Sequence, residues 1–323
     1  MPGGRKSGRN TRRTLATAIE SEKRPHFNPD DTTEPTAGEV VGVDGISGNK
    51  KHCSKPNIST CSSQFSIIKT TDHFVDKTKI IEVLFGDSEY VLITRPRRFG
   101  KSTMMNMVKE FVEKKVYTRG DKVGQEILRS TENDRAFPEM NLRLFEDGNL
   151  EISKWDEFSR HRGKYPTIYL DLQSIHGYNF LQILLSFRRT IIDAFSSHSY
   201  LLHCEDLWST EEDKKTFIKY LYPTSIDQMI VSSSEAVEAL LLSYIEGSLP
   251  FLVQVLHKHY SHGIYLFIDE YDAPINNILF ENKDLCEKVN NLLTIVFKNL
   301  MKRQDSFIAR ALITGISYMA FQE

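Results

Sequence analysis

Gly100-Lys101-Ser102 follows the apolar run Tyr90-Val91-Leu92-Ile93-Thr94 and opens a stretch, Thr103 to Lys115, with helical patterning. A strand, a loop and a helix N-terminus in that order suit a triphosphate. In the pattern G-x-x-x-x-G-K-[ST], backbone N–H groups cradle the phosphates, the lysine reaches the β- and γ-phosphates, and the hydroxyl sits on Mg²⁺. Here the first glycine position holds Arg95, within Arg95-Pro96-Arg97-Arg98-Phe99-Gly100-Lys101-Ser102. Pro96 fixes φ and removes a donor, and a turn without glycine at 95 cannot take the usual glycine geometry there. The competing reading is a solvated basic turn from Arg95 to Lys101.

A second pair of groups lies far downstream. Ile264-Tyr265-Leu266-Phe267-Ile268-Asp269-Glu270 is a continuous apolar run that ends in two carboxylates. A run apolar on both faces fits a central parallel strand covered by helices. Its carboxyl end lies at the sheet edge where open α/β folds bind ligands. A carboxylate there holds Mg²⁺ together with the loop hydroxyl, so Asp269 and Ser102 are the expected metal ligands. Glu270 is then the general base or water-orienting group. The bland alternative is an acidic strand end that caps the next helix, a role open to Asp272 before Pro274.

Thr314 and Ser317 follow a third apolar run, Ala309 to Thr314. If that strand lies between the loop strand and the Asp-Glu strand, Thr314 meets the γ-phosphate or the attacking water; a turn at Gly315 is the plain alternative. Arg95, Arg97 and Arg98 offer planar donors to phosphate or partners to the chain's own acids. His257-x-His259-x-x-His262 fits no metal spacing and is expected as exposed side chains between a helix and a strand.

These groups need a scaffold. From Phe65 onward helical and strand patterns alternate, so the fold class is α/β. A short helix is expected after Asp76 as N-cap, running through Ile80, Ile81 and Leu84. Strand 90–94 and helix 103–115 follow, then strand 167–171. Helix 180–196 carries the apolar stripe Leu181, Leu184, Leu185, Ile191 and Ile192. Capping boxes Ser209-x-x-Glu212 and Ser232-x-x-Glu235 start further helices, the second ending at Gly247 with Pro250 beyond. Residues 284–303 give the clearest amphipathic helix, with Leu285, Val289, Leu292, Leu293, Val296, Phe297 and Leu300 on one face and Lys302 and Arg303 at its end.

Residues 1–64 are rich in Gly, Ser, Thr, Pro, Lys and Asn without apolar periodicity, and are expected to be a disordered basic and polar tail. The first 24 residues hold seven basic and two acidic side chains, a charge pattern open to polyanion binding but more simply a solvated tail. The whole chain of 323 residues has a net charge of −2, which gives the core no nucleic-acid signature. No signal peptide is visible, and Phe180 to Phe187 and Leu249 to Leu256 fall short of the roughly 20 residues a bilayer requires. Cys53, Cys61, Cys204 and Cys286 form no C-x-x-C pair and read as reduced thiols. An intracellular protein, cytoplasmic or nuclear and without a membrane partner, is expected.

Phe74-Val75-Asp76-Lys77-Thr78, Leu92 to Ser102, Phe267-Ile268-Asp269-Glu270-Tyr271-Asp272-Ala273-Pro274 and Ile313-Thr314-Gly315-Ile316-Ser317 together resemble the predicted AAA-ATPase-like family, a P-loop group often joined to a C-terminal nuclease domain. The resemblance spans roughly residues 66–323, and in that family arginine at the first loop glycine looks normal. It implies a parallel-sheet P-loop NTPase core over 65–323, ATP as ligand, Lys101 on phosphate, Ser102 and Asp269 on Mg²⁺, and Glu270 as catalytic carboxylate. On this reading Arg95, Arg97, Arg98, Phe99, Gly100, Lys101, Ser102 and Thr103 form the nucleotide loop, with Glu270, Lys101 and Thr314 catalytic. The family's further strand beside the loop strand, its lid and its nuclease domain do not follow Thr314 here, so the core is expected to be incomplete at its C-terminus. The long interval between Lys101 and Asp269 leaves room for helical insertions within 118–165 or 200–247. The expected function is Mg²⁺-dependent ATP binding and hydrolysis coupled to a conformational change, with an arginine from a neighbouring copy completing the site in a homo-oligomer. The alternative is a truncated, non-enzymatic interaction module that keeps the site sequence.

Overall fold

Four apolar runs become the strands of one sheet, all parallel, in the order β1-β4-β3-β2. The computed structural model describes residues 64–71, 74–86, 88–118, 123–126, 144–145, 148–223, 234–278, 283–302, 304 and 306–317, all within the unit Lys55–Glu323. The expected tail, apart from Gln64, lies outside the described residues. In chain order the elements are α1 (Phe65–Ile68), α2 (Ile80–Leu84), β1 (Tyr90–Thr94), α3 (Lys101–Val112), α4 (Phe158–His161), β2 (Thr167–Asp171), α5 (Phe180–Ser196), α6 (Glu211–Leu221), α7 (Ser234–Tyr260), β3 (Ile264–Asp269), α8 (Ala273–Asn276), α9 (Lys283–Phe297) and β4 (Ile308–Gly315). A short π-helical segment, Lys298–Lys302, extends α9.

β3 is buried at all six positions, as a central strand with both faces covered must be. Its side chains alternate between two cores. Ile264, Leu266 and Ile268 join α5, α6, α7 and α9 on one face. Tyr265 and Phe267 join α1, α2 and α3 on the other, and Asp269 continues that second row at the strand's end. β1 stands at one edge of the sheet, and its Leu92 is 39% exposed. Arg310, on β4, ties down the connection into β1, its guanidinium donating to the carbonyls of Leu84, Phe85, Gly86 and Ser88.

Several local expectations shift. The α5 stripe is rotated: Ile183, Leu184, Phe187, Ile191 and Phe195 are buried, whereas Leu181, Leu185 and Ile192 are only half-buried. Thr190 and Ser186, polar by type, share the buried face because backbone carbonyls of Asp171 and Ser174 accept from them. Asp76 does not cap α2, whose N-cap is Lys79; it accepts instead from the N–H groups of Thr78 and Glu151. The cap of α6 is Thr210, one residue past the expected Ser209, accepting from Asp213 N. Ser232 and Arg303 lie outside the described residues.

The largest correction concerns α7, which runs through both Gly247 and Pro250 to Tyr260. Pro250 removes one N–H from the helical ladder, but Leu249, Leu252, Val253 and Leu256 around it are all buried, and packing outweighs local propensity. Gly247 serves close approach, since a Cβ there would stand 2.7 Å from the Tyr220 hydroxyl. Read as unbroken, Glu235–Tyr260 is long and apolar enough to cross a membrane, with mean hydropathy 1.6, yet half of that window is buried within the protein. With α6 it packs on α5 and shares one core with β2 and β3, so the described part of 200–247 belongs to the main fold. His257 and His259 fall in the last turn of α7, half-buried, and only His262 is exposed in the connection.

The sheet order gives a contrast that denaturant unfolding can read. Leu266→Ala on β3 is expected to cost about 2–5 kcal/mol, while Leu92→Ala on the edge strand costs less than about 1 kcal/mol. Similar costs at both positions would contradict a central β3 beside an edge β1.

Candidate functional site

The loop that leaves β1 turns on two left-handed residues, Arg98 (φ 68°) and Gly100 (φ 74°). Arg95 is not among the left-handed positions, so its backbone does not require glycine, and the anomaly in the sequence pattern disappears at the level of dihedral angles. Arg98 bears the strain instead, of order 1–2 kcal/mol for a side chain in that region. Gly100 is the N-cap of α3 and gives it no side-chain cap, so the first N–H groups of the helix lack a side-chain acceptor from that position.

Lys101 is only 5% exposed. Its Nζ stands 3.1 Å from Glu270 Oε1 and donates to the carbonyls of Arg95 at 3.0 Å and Pro96 at 3.3 Å. An ammonium has three N–H donors, and these three acceptors match them. Ser102 and Thr103 are half-buried in the first turn of α3, whereas Arg95, Arg97, Arg98 and Phe99 are exposed. Among the described residues no hydrogen bond joins Ser102 to Asp269, and the three arginine side chains are not drawn onto Lys101.

The other half of the site comes from strand ends. β4 lies between β1 and β3, pairing Ile93 with Thr314 and Ile268 with Ile313. Asp269 is 2% exposed and Thr314 fully buried. Thr314 Oγ1 donates to Asp269 Oδ1, which also accepts from Glu270 N at 3.0 Å. Thr314 thus spends its proton on Asp269. Tyr169 Oη donates to Asp269 Oδ2 at 3.4 Å. Among the described residues no cation stands within ion-pair distance of Asp269. Asp171, its register partner on β2, has its carboxyl pushed up by burial, with a smaller upward push from Asp269. Glu270 sits at φ 49°, a left-handed backbone of the kind that concentrates at functional sites.

Asp272 was missed as an anchor. It occupies the N-cap position of α8 without capping it. Its carboxylate instead accepts from Ile316 N, Ser317 N, Ser317 Oγ and Asn276 Nδ2. Burial pushes this carboxyl up, but the Ser317 and Ile316 donors outweigh it and hold it below the usual range. Tyr271 reinforces the join: its N–H donates to Thr314 O and its hydroxyl to Ser317 O. Gly315 lets these turns close, since a Cβ there would sit 2.5 Å from the Tyr271 ring and 2.8 Å from Asp272 Oδ1. Aspartate two residues before a proline suggested only a cap; the distance in sequence to Ser317 hid the real partner.

Ser102 and Asp269 supply hard oxygen donors of the kind Mg²⁺ takes. Among the described residues no group of three or more His, Cys, Asp or Glu could hold a metal alone, so a cation here would complete its shell with phosphate and water, as Mg²⁺ commonly does. A family model described as predicted AAA-ATPase matches residues 60–323. No curated protein and no solved structure matches the chain.

Asp272→Ala is expected to lower stability by about 2–3 kcal/mol at neutral pH, because it strands several part-buried donors. The lowered carboxyl contributes stability that is present above its unfolded value and lost as pH falls through the folded one. The gap between wild type and variant is therefore constant from pH 6 to 8 and narrows below about pH 4. Chemical denaturation at a series of pH values checks this; a gap that widens in acid contradicts it.

Proposed function

The chain belongs to the predicted AAA-ATPase family, and on that premise we propose that it binds ATP with Mg²⁺ at the carboxyl edge of the sheet and hydrolyses the terminal phosphoanhydride. The unit that does so is residues 65–323. One juxtaposition supports this reading above all: a buried lysine at a helix N-terminus is paired with Glu270, and the residue before it, Asp269, accepts from a threonine at the neighbouring strand's end.

Each group has a part that follows from its chemistry. The N–H groups opening α3 and the Lys101 ammonium receive the phosphate oxygens. A phosphate engages Lys101 by replacing one of its three acceptors, and Glu270 is the one that carries charge. Release of Glu270 leaves a carboxylate, already held at a strained backbone angle, to orient water and take its proton. Binding and preparation of the base are then one event, and the Lys101–Glu270 exchange is the local start of a conformational change. Ser102 and Asp269 would hold Mg²⁺, which would supply positive charge to the phosphate oxygens. Thr314 acts through Asp269, fixing its rotamer. Arg95, Arg97, Arg98 and Phe99 stay at the loop surface, where the guanidinium groups are free to meet phosphate.

Equilibrium binding and single-turnover hydrolysis of ATP on the purified chain test the reading. Lys101→Ala is expected to lose more than about tenfold in affinity, since charge-assisted hydrogen bonds contribute about 1.5–3 kcal/mol. Glu270→Gln binds ATP at least as tightly as wild type, because the competitor for Lys101 is gone, and hydrolyses it about 10²–10⁴-fold more slowly. Indistinguishable binding and turnover in wild type and both variants would contradict the proposal.

A further inference from the structure

β3 is flanked by β4 on one side and β2 on the other, and Asp269 is held from both. From β4 comes the Thr314 hydroxyl, onto Oδ1. From β2 comes Tyr169, whose register partner is Phe267 and whose hydroxyl reaches diagonally to Oδ2 at 3.4 Å, the long end of hydrogen-bonding distance. A carboxylate accepts about four hydrogen bonds, two at each oxygen. The Glu270 N–H and Thr314 Oγ1 use the two at Oδ1. Tyr169 uses one at Oδ2, which among the described residues leaves a single direction open on that oxygen.

We propose that Tyr169 is a positioning residue for the cation site: its hydroxyl fixes the Asp269 carboxylate about the Cβ–Cγ bond so that the free lone pair of Oδ2 faces the metal. This rests on the nucleotide reading above. Without the tether, Oδ1 stays anchored while Oδ2 loses the one side-chain partner it has among the described residues. The plane of the group then rotates more freely, and the metal must order it on binding. Hydrogen-bonding partners behind a ligating carboxylate typically set about 10–100-fold in metal affinity. A tyrosine suits the task because its ring is anchored in the sheet while its donor stands at the far end of a long rigid arm. The ring also forms one wall of a cavity of about 200 Å³ between α3 and β2, with Thr167, His198 and Tyr200 among the other walls.

The test is Tyr169→Phe, which keeps the ring and that wall and removes only the donor. Binding of a fluorescent N-methylanthraniloyl ATP is titrated with MgCl₂ in wild type and variant, and thermal unfolding is followed in parallel. The Mg²⁺ concentration giving half of the magnesium-dependent gain in affinity is expected to rise about tenfold. Nucleotide affinity in EDTA is expected to stay unchanged, and the unfolding midpoint to fall only by the small amount that one long hydrogen bond accounts for. An unchanged Mg²⁺ requirement, in a wild type that does show magnesium-dependent binding, overturns the role of Tyr169 and leaves the nucleotide reading standing. A lowered unfolding midpoint with affinity lost equally in EDTA and Mg²⁺ assigns Tyr169 to packing and also overturns it. A wild type without magnesium-dependent binding removes the nucleotide reading itself, and this inference with it.

Discussion

Removing a carboxylate from water costs several kcal/mol unless hydrogen bonds or an ion replace the solvent. Asp269 is almost wholly buried at the end of the central strand, and its compensation comes from three directions: the next residue's N–H, a threonine on β4 and a tyrosine on β2. That requirement dictates the rest of the edge. Thr314 meets Oδ1 only because β4 pairs with β3 in a register that brings the two strand ends level. The same β4 pairs with β1, and so brings the loop after β1, with Lys101 following it, to the same edge. One buried charge thereby fixes the relative height of three strands.

The turns after β3 and β4 are bound into one unit for the same reason. Asp272 receives both N–H groups of Ile316 and Ser317, and Tyr271 bonds across to Thr314 and Ser317. Glu270 lies between two residues held in this way, Asp269 before it and Tyr271 after it. Its left-handed backbone costs free energy that these flanking hydrogen bonds offset. Its side chain, by contrast, is held among the described residues by a single ion pair, with Lys101. A rigid main chain carrying a side chain with one exchangeable partner is the arrangement expected of a group that must change partners during a reaction cycle.

Much of this was legible in the residue pattern, because burial writes itself into composition. The continuous apolar run 264–268 announced a strand covered on both faces, and the six apolar stripe positions of α9 and Leu300 in the π-helical segment beyond are all buried as spaced. Thr314 reaches this edge only if β4 lies between the loop strand and the Asp-Glu strand, and the sheet has that order. What failed had local causes. Gly247 and Pro250 are stop signals in isolation, but buried leucines on both sides of Pro250 keep α7 continuous. Arg95 departs from the usual glycine pattern without disturbing the turn, because the left-handed positions fall at 98 and 100. Tyr169 and the Asp272–Ser317 join carried no local signal at all: both connect residues 45 or more positions apart, and only the register of the sheet brings them together.

The central claim is that a buried aspartate at this edge serves a magnesium-bound nucleotide rather than the fold alone. Its most direct measurement is the equilibrium affinity of the full chain for ATP, with Mg²⁺ and in EDTA, for wild type and for Asp269→Asn, which preserves shape and removes charge. The structure predicts tighter binding with Mg²⁺ in wild type and loss of that gain in the variant, with binding in EDTA retained. A magnesium-dependent gain that survives Asp269→Asn, or no nucleotide binding by wild type at all, would contradict it.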